Sequence, residues 1–156
     1  VMADGKVRRE GPLAEALADV KMPIETENGA SVVLSGKVSS LSSEWKTCCI
    51  DAGGWTFETP MASLAMGSQV RLRVLARDVS IAVEKPDSIS IRNRLQAEVE
   101  EIAAHLSEPA YQLVKLKCPN GEGRLVSRIL RQSVTELGLH PGSQVWALVK
   151  ASAVIM

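Results

Sequence analysis

Two short motifs carry the side chains with the clearest chemistry in this chain. One is Ser90-Ile91-Arg92-Asn93 and the other is Lys150-Ala151-Ser152. Together they offer a guanidinium, an ammonium, two hydroxyls, a carboxamide and backbone N–H donors, and neither motif contains a carboxylate. Cations and donors suit a tetrahedral oxyanion, because Arg presents a planar fork and Lys a point charge, which together balance a dianion. Such groupings also occur without function on solvated strand ends, so the motifs alone leave both interpretations open.

A faint internal duplication indicates which elements must position these motifs. The copies share a Gly-Ser-Gln-Val tetrapeptide and apolar positions before it: residues 33–38 align with 94–99, 67–70 with 142–145, and 75–79 with 150–154. Such a repeat predicts two related supersecondary units. The copies diverge where the chemistry lies. Lys150 and Ser152 in the second copy stand where the first has Leu75 and Arg77, and we expect Arg77 and Asp78 to form a local ion pair that binds no anion.

Short strands separated by turns predict an all-β fold of tandem small OB-like β-barrel units. Strands are expected in the first copy at 32–41, 45–50, 55–58 and 69–83, and in the second at 93–102, 110–117, 123–128, 143–150 and 152–155. Turns are expected at Gly53-Gly54 and Pro119-Asn120-Gly121, and a helical turn at 133–137 that ends at Gly138. Before them, Asp4-Gly5 predicts a hairpin and residues 13–18 a short helix after Pro12.

Composition excludes several functions. Zero formal net charge and 3% aromatic residues do not suit a nucleic-acid surface, which needs clustered positive charge and stacking platforms. No apolar run approaches the roughly 20 residues that cross a bilayer, so no direct membrane insertion is expected. The three cysteines are an odd number and two are adjacent, which favours a reducing compartment over a disulfide framework. The Cys and His spacings predict no metal site.

No catalytic pattern is present. The chain has no Gly-x-x-x-x-Gly-Lys-Ser/Thr phosphate loop, and Gly121-Glu122-Gly123-Arg124 does not match one. Without that cradle for the β- and γ-phosphates, we expect no ATP turnover and no catalytic residue in this chain.

At the two motifs the sequence resembles a known family. Ser-x-Arg-Asn before an apolar strand, then residues 137–145 (Leu-Gly-Leu-His-Pro-Gly-Ser-Gln-Val) and 147–155 (Ala-Leu-Val-Lys-Ala-Ser-Ala-Val-Ile), is similar to the molbindin-type (Mop, TOBE-type) domain. Residues 74–81 resemble the Ala-Arg-Asp-Val-Ser segment upstream of this domain in ATP-binding subunits of molybdate ABC importers. Residues 1–19 are similar to the last hairpin and helix of an ABC-type ATPase domain. The chain, which begins at Val1, is thus expected to be a C-terminal piece of such a subunit.

This resemblance implies a division into an ATPase tail with linker (1–28), a first OB-like half (29–86) and a Mop-like oxyanion-binding half (87–156). It implies molybdate or tungstate as ligand, with ATP and Mg²⁺ confined to an ATPase domain outside this chain. The oxyanion-site residues that carry over are Ser90, Arg92, Asn93, Lys150, Ala151 through its backbone N–H, Ser152 and Ser133.

The implied function is accessory: two ATPase subunits dimerise through these barrels, and cytoplasmic molybdate binding between them slows ATP hydrolysis. The implied partners are a second copy and the membrane permease, with a cytoplasmic location at the inner face of the membrane. Alternatives remain open: a structural dimerisation domain with a vestigial site, an accessory domain for another substrate such as sulfate or a sugar, or a free-standing molybdate store. A DNA-binding regulator would need a helix-turn-helix, which the pattern lacks.

Overall fold

The computed structural model describes residues 30–60, 64–105 and 107–156. The hairpin and helix predicted before Ala30 lie outside these described residues. Within them the regular structure is mostly β-strand, as the turn spacing predicts. The strands are β1 (Ser31–Ser42), β2 (Thr47–Ala52), β3 (Trp55–Pro60), β4 (Gln69–Leu75), β5 (Val79–Ala82), β6 (Asn93–Ala104), β7 (Tyr111–Lys117), β8 (Arg124–Leu130) and β9 (Gln144–Val149). One α-helix, α1 (Arg131–Leu137), and two 3₁₀ turns, Ala76–Asp78 and Ala151–Ala153, complete the described elements.

The strands form two curled antiparallel sheets, which confirms the predicted pair of OB-like units. The first sheet has the order β3-β2-β1-β4, and the second has the order β5-β9-β6-β7-β8. Alternation of apolar and polar residues places one face of each strand in the interior, as in β1, where Val32, Leu34 and Val38 are buried. The buried side chains of both sheets belong to one continuous apolar cluster. The two units therefore share a core.

The duplication seen in the sequence is reproduced in the backbone hydrogen bonds. Gly67 N–H donates to the Val38 carbonyl at 2.9 Å, and Gly142 N–H donates to the Val99 carbonyl at 2.8 Å. Both long first strands, β1 and β6, also change register immediately after the equivalent valine. Conserved geometry at aligned positions confirms that the copies are structurally related units.

Each unit closes its sheet with the last segment of the other unit. Strand β5 follows the first copy in sequence, yet it pairs with β9 of the second sheet. In return, Ile155 at the end of the second copy pairs with Arg73 of β4 in the first sheet. The Ser127 hydroxyl on β8 donates to the Val79 carbonyl on β5, which joins the two edge strands of the second sheet. The halves are thus interlocked.

Four glycines allow the two units to touch backbone to backbone. The Gly53-Gly54 turn between β2 and β3 lies against Gly121 and Gly123, in the turn between β7 and β8, and Gly123 N–H donates to the Gly53 carbonyl at 2.8 Å. A Cβ placed on Gly123 would lie 2.7 Å from the Gly53 carbonyl oxygen. Both turns were predicted from sequence, but their mutual contact was not.

Three expected strand boundaries are wrong. The segment 152–155 is not a strand: Ala151–Ala153 form a 3₁₀ turn, and only Ile155 makes an isolated bridge. The 69–83 segment is interrupted by the equivalent 3₁₀ turn Ala76–Asp78, because the chain crosses there from one sheet to the other. Trp45 precedes β2 in an exposed turn, where Lys46 takes a positive φ of 60°.

Two other expectations concern local details. The helical turn after β8 is confirmed as α1, and Gly138 ends it in the left-handed conformation with φ 65°. The expected ion pair between Arg77 and Asp78 is wrong, since no ion pair joins them in the described part of the chain. Both residues lie in the 3₁₀ turn where the chain crosses from one sheet to the other.

Candidate functional site

The strand register brings the two motifs to the same end of the second sheet. Strands β6 and β9 are antiparallel neighbours, and Asn93, the first residue of β6, is paired with Val149, the last residue of β9. Arg92 precedes this pair and Lys150 follows it, so the two residues lie at neighbouring ends of adjacent strands. The two residues are far apart in sequence, with positions 93 to 149 between them, and the pairing of the two strand ends brings them together.

Asn93 uses its carboxamide to hold the first unit. Its Nδ2 donates to the Glu58 carbonyl at 2.9 Å, and its Oδ1 accepts from the Glu58 N–H at 2.6 Å. This side chain is 2% exposed. Because β3 is an edge strand of the first sheet, the carboxamide satisfies a backbone N–H and a carbonyl that a neighbouring strand would otherwise pair. The Asn93 side chain therefore joins β3 to β6 with the same pair of hydrogen bonds that the backbone of a neighbouring strand would make.

A second side chain fixes the same contact three residues along. The indole Nε1 of Trp55 on β3 donates to the Gln96 carbonyl on β6 at 2.7 Å. Trp55 is buried and meets Phe57 edge to face, with ring centroids 6.3 Å apart. The indole body fills the interior while its N–H finds a polar partner. Strand β3 thus lies along β6, held by side chains rather than by a backbone ladder.

Glu58 introduces a carboxylate that the sequence motifs did not contain. Its Oε1 lies 3.0 Å from Nε of Arg92, in an ion pair whose Arg side chain is 65% exposed and whose Glu side chain is 23% exposed. The two motifs contain no carboxylate of their own, but the fold places this one beside Arg92. A pair this exposed contributes at most about 1 kcal/mol, so an incoming anion can displace it.

The Lys-x-Ser motif lies on the 3₁₀ turn that crosses back to the first unit. The Thr59 hydroxyl on β3 donates to the Ala151 carbonyl at 3.4 Å, and Ala153 N–H donates to the Lys150 carbonyl at 2.9 Å. Among the described residues, no backbone carbonyl accepts from the N–H of Ala151 or Ser152. The equivalent donor in the first copy, Ala76 N–H, is satisfied by the Ala30 carbonyl at 2.8 Å. As far as the described residues show, this N–H is therefore satisfied in the first copy and open in the second.

The remaining candidates differ in position. The side chains of Ser90, Lys150 and Ser152 are exposed beside the turn, and within the described residues Lys150 makes no ion pair. Ser133 lies on α1, which packs on β7 and β8 instead of on the strands that carry the motifs. No hydrogen bond among the described residues links Ser133 to either motif. The strand register thus places Arg92, Asn93 and Lys150 at one end of the second sheet, whereas Ser133 lies on a different element.

Sequence reasoning missed the contribution of β3, which supplies Glu58 and Thr59. For Thr59 the duplication offers an indication. When the strand registers of the two copies are overlaid, Thr59 aligns with Ser127. Both hydroxyls are buried, and both donate to the segment that crosses over from the other unit. Each copy thus uses a buried hydroxyl at the same position to bind the segment that crosses over from the other unit.

No cluster of three or more His, Cys, Asp or Glu side chains is placed to hold a metal ion in 30–60, 64–105 and 107–156. The same residues include no helix with the length and apolar character needed to cross a membrane.

Comparison with known proteins identifies the second unit. The family model of the TOBE domain matches residues 89–156, the stretch that contains both motifs. These residues are thus similar to the TOBE domain. The predicted resemblance to the molbindin-type, TOBE-type domain is confirmed.

Relatives extend the similarity beyond the TOBE domain to nearly the whole chain. The molybdenum import ATP-binding protein ModC of Methylococcus capsulatus is 33% identical over 154 residues, 99% of this chain and 42% of that protein. Its counterparts from Pseudomonas fluorescens and Brucella abortus are 35% and 40% identical, again over 99% of this chain, which covers 43% and 41% of those proteins. The chain thus spans less than half the length of these relatives, and its predicted resemblance to a part of such subunits is confirmed.

A solved structure matches the arrangement of both units. The molybdate-bound crystal structure of the cytoplasmic molybdate-binding protein ModG superposes with a TM-score of 0.67 at 28% identity. The match covers 86% of this chain and 97% of that chain. The superposition therefore includes the TOBE domain together with the unit that precedes it.

Proposed function

We propose that this chain is the accessory region of a molybdate or tungstate importer's ATP-binding subunit, where it binds the oxyanion and joins two subunits as a sensor. The observation that carries the proposal is the pairing of Asn93 with Val149, which sets Arg92 and Lys150 beside each other. The similarity to ModC proteins and to molybdate-bound ModG supports the same ligand class. The division into 1–28, 29–86 and 87–156 stays a prediction.

In this proposal the residues divide into ligands and a positioning residue. Arg92 and Lys150 balance the dianion, while the hydroxyls of Ser90 and Ser152 and the open N–H of Ala151 complete the donor set. Asn93 positions the motif, because its carboxamide is committed to Glu58.

Ser133 enters the proposed site from a second copy. In molbindin-type domains, which this chain resembles, oxyanion sites lie between subunits. The exposed face of Lys150 and Ser152 leaves room for such a contribution.

Sensing requires that the anion favours one state of the dimer. If molybdate binds the slowly hydrolysing state better than the active one, occupancy shifts the population toward it, whereas equal affinity shifts nothing. A coupling of about 1–3 kcal/mol gives a 5- to 150-fold change in the balance, enough to inhibit transport. The ATP-hydrolysing domain, the permease and the inner face of the membrane belong to the parent assembly in this proposal, and the present chain catalyses nothing.

Isothermal titration of the 156-residue chain with molybdate, tungstate, sulfate and phosphate, alongside its mass in solution, tests the proposal. The double variant K150A/S152A removes the ammonium and the hydroxyl, and we expect it to weaken molybdate binding at least 100-fold, about 2.7 kcal/mol. The matched control is K37A/S39A, which deletes the same Lys-x-Ser pair from the exposed side of β1. We expect its affinity to equal that of the unaltered chain.

The alternatives predict different results in the same titration. A structural dimerisation domain gives a dimer that binds none of the four anions. An accessory domain for sulfate binds sulfate at least as tightly as molybdate. Both anions are tetrahedral dianions, so only a site fitted to the larger size of molybdate prefers molybdate. Equal losses in both double variants would show that general surface charge, rather than this site, attracts the anion.

A further inference from the structure

Glu58 is the one acidic side chain that contacts the candidate anion site in the described chain. It reaches the site from the first unit, and both of its backbone hydrogen-bonding groups are fixed by Asn93. Because the Glu58 backbone is held, its carboxylate lies beside Arg92, with Oε1 3.0 Å from the Arg92 Nε. This placement is a property of the fold, because it follows from the docking of β3 on β6.

We propose that Glu58 is an internal counter-anion, which occupies Arg92 in the absence of ligand and which an incoming tetrahedral dianion must displace. The inference rests on the proposed oxyanion site and adds a residue that sets its affinity. A carboxylate and a dianion repel each other across a few ångströms, so Glu58 lowers affinity most for the most highly charged anions. Because Glu58 and Arg92 belong to different units, displacement also removes one contact between the halves.

The carboxylate has a defined effect on affinity. A charge product of two at a separation of about 6 Å in water corresponds to roughly a tenfold change in the dissociation constant, and a product of one to about threefold. The substitution E58Q removes the charge, while the amide oxygen still accepts from Arg92. We therefore expect E58Q to bind molybdate about tenfold more tightly, and perrhenate, a tetrahedral monoanion, about threefold more tightly.

The chain offers a closely matched control. Glu100 Oε1 lies 3.0 Å from Nε of Arg124, in an ion pair with the same geometry on β6 and β8, away from both motifs. E100Q changes the net charge by the same amount, so it reports the effect of overall charge alone. Titrations of the unaltered chain, E58Q and E100Q with molybdate and perrhenate at one ionic strength make the comparison, with urea midpoints to verify folding.

Each result of these titrations either supports or overturns the role proposed for Glu58. Tighter binding by E58Q but not by E100Q, with the larger gain for molybdate, supports the inference. Equal affinity of E58Q and the unaltered chain overturns the inference and leaves the proposed oxyanion site standing. Weaker binding by E58Q also overturns it, since Glu58 would then hold Arg92 in its binding position. Failure of all three proteins to bind either anion overturns the proposed function and the inference together.

Discussion

Replacement of Asn93 by alanine tests whether this residue serves the fold rather than the ligand. N93A deletes two hydrogen bonds to the backbone of Glu58, at 2.6 and 2.9 Å, and leaves that N–H and carbonyl without their partner on the edge of β3. An unsatisfied buried polar group costs about 1–3 kcal/mol. Since water reaches the half-buried Glu58 in part, we expect a loss of about 2–4 kcal/mol in the free energy of unfolding.

Urea unfolding measures this change, and thermal unfolding should show a fall of roughly 4–16 °C, at about 2–4 °C for each kcal/mol in a chain of this size. The control is N120A, which shortens an asparagine in the exposed turn between β7 and β8 and is expected to stay within about 0.5 kcal/mol. A loss below about 1 kcal/mol in N93A, with a large loss of molybdate affinity, would refute the reasoning. Asn93 would then be a ligand and not the residue that docks β3.

Two further predictions concern the contact between the units and the cysteines. G123A should lower the free energy of unfolding by about 1–3 kcal/mol in urea, because the added Cβ would lie 2.7 Å from the Gly53 carbonyl oxygen, whereas E122A in the same turn should be neutral. Burial raises the pKa of the Cys48 thiol, and the charge of the neighbouring Cys49 raises it further. At pH 8, iodoacetamide should therefore label the less buried Cys49 well before Cys48, as followed by mass spectrometry. Faster labelling of Cys48 would contradict its placement in the core.

The all-β architecture and most strand positions were predictable because local signals determine them. Alternating apolar residues mark β1 and β6, and turn glycines mark the hairpins, so the existence of each strand follows from a few adjacent residues. The crossings at Ala76–Asp78 and Ala151–Ala153 were not predictable in the same way. Each continues an apolar pattern into a segment that pairs with the other unit, and no local property of the sequence says which sheet accepts it.

The site was predictable in part for a similar reason. The residue types of the two motifs indicated anion binding, and the resemblance to the TOBE domain predicted that both motifs belong to one site. Glu58 carried no such signal, since its approach to Arg92 depends on the docking of an edge strand from the other unit. Asn93 was expected among the ligands, yet the same docking gives its carboxamide another partner. Contacts between the units therefore set the surroundings of Asn93 and Glu58, and the motifs alone do not show these contacts.

The interlocking of the units indicates that the functional module is larger than the TOBE domain. The family match begins at residue 89, whereas the sheet that carries both motifs takes strand β5 from residues 79–82. The Lys-x-Ser turn depends on the first unit in return, through Thr59 at Ala151 and Arg73 at Ile155. The solved ModG structure matches 86% of this chain, more than either unit alone. In the proposed function, the anion therefore binds beside contacts that join the two units, at the place where binding would change how the units are held together.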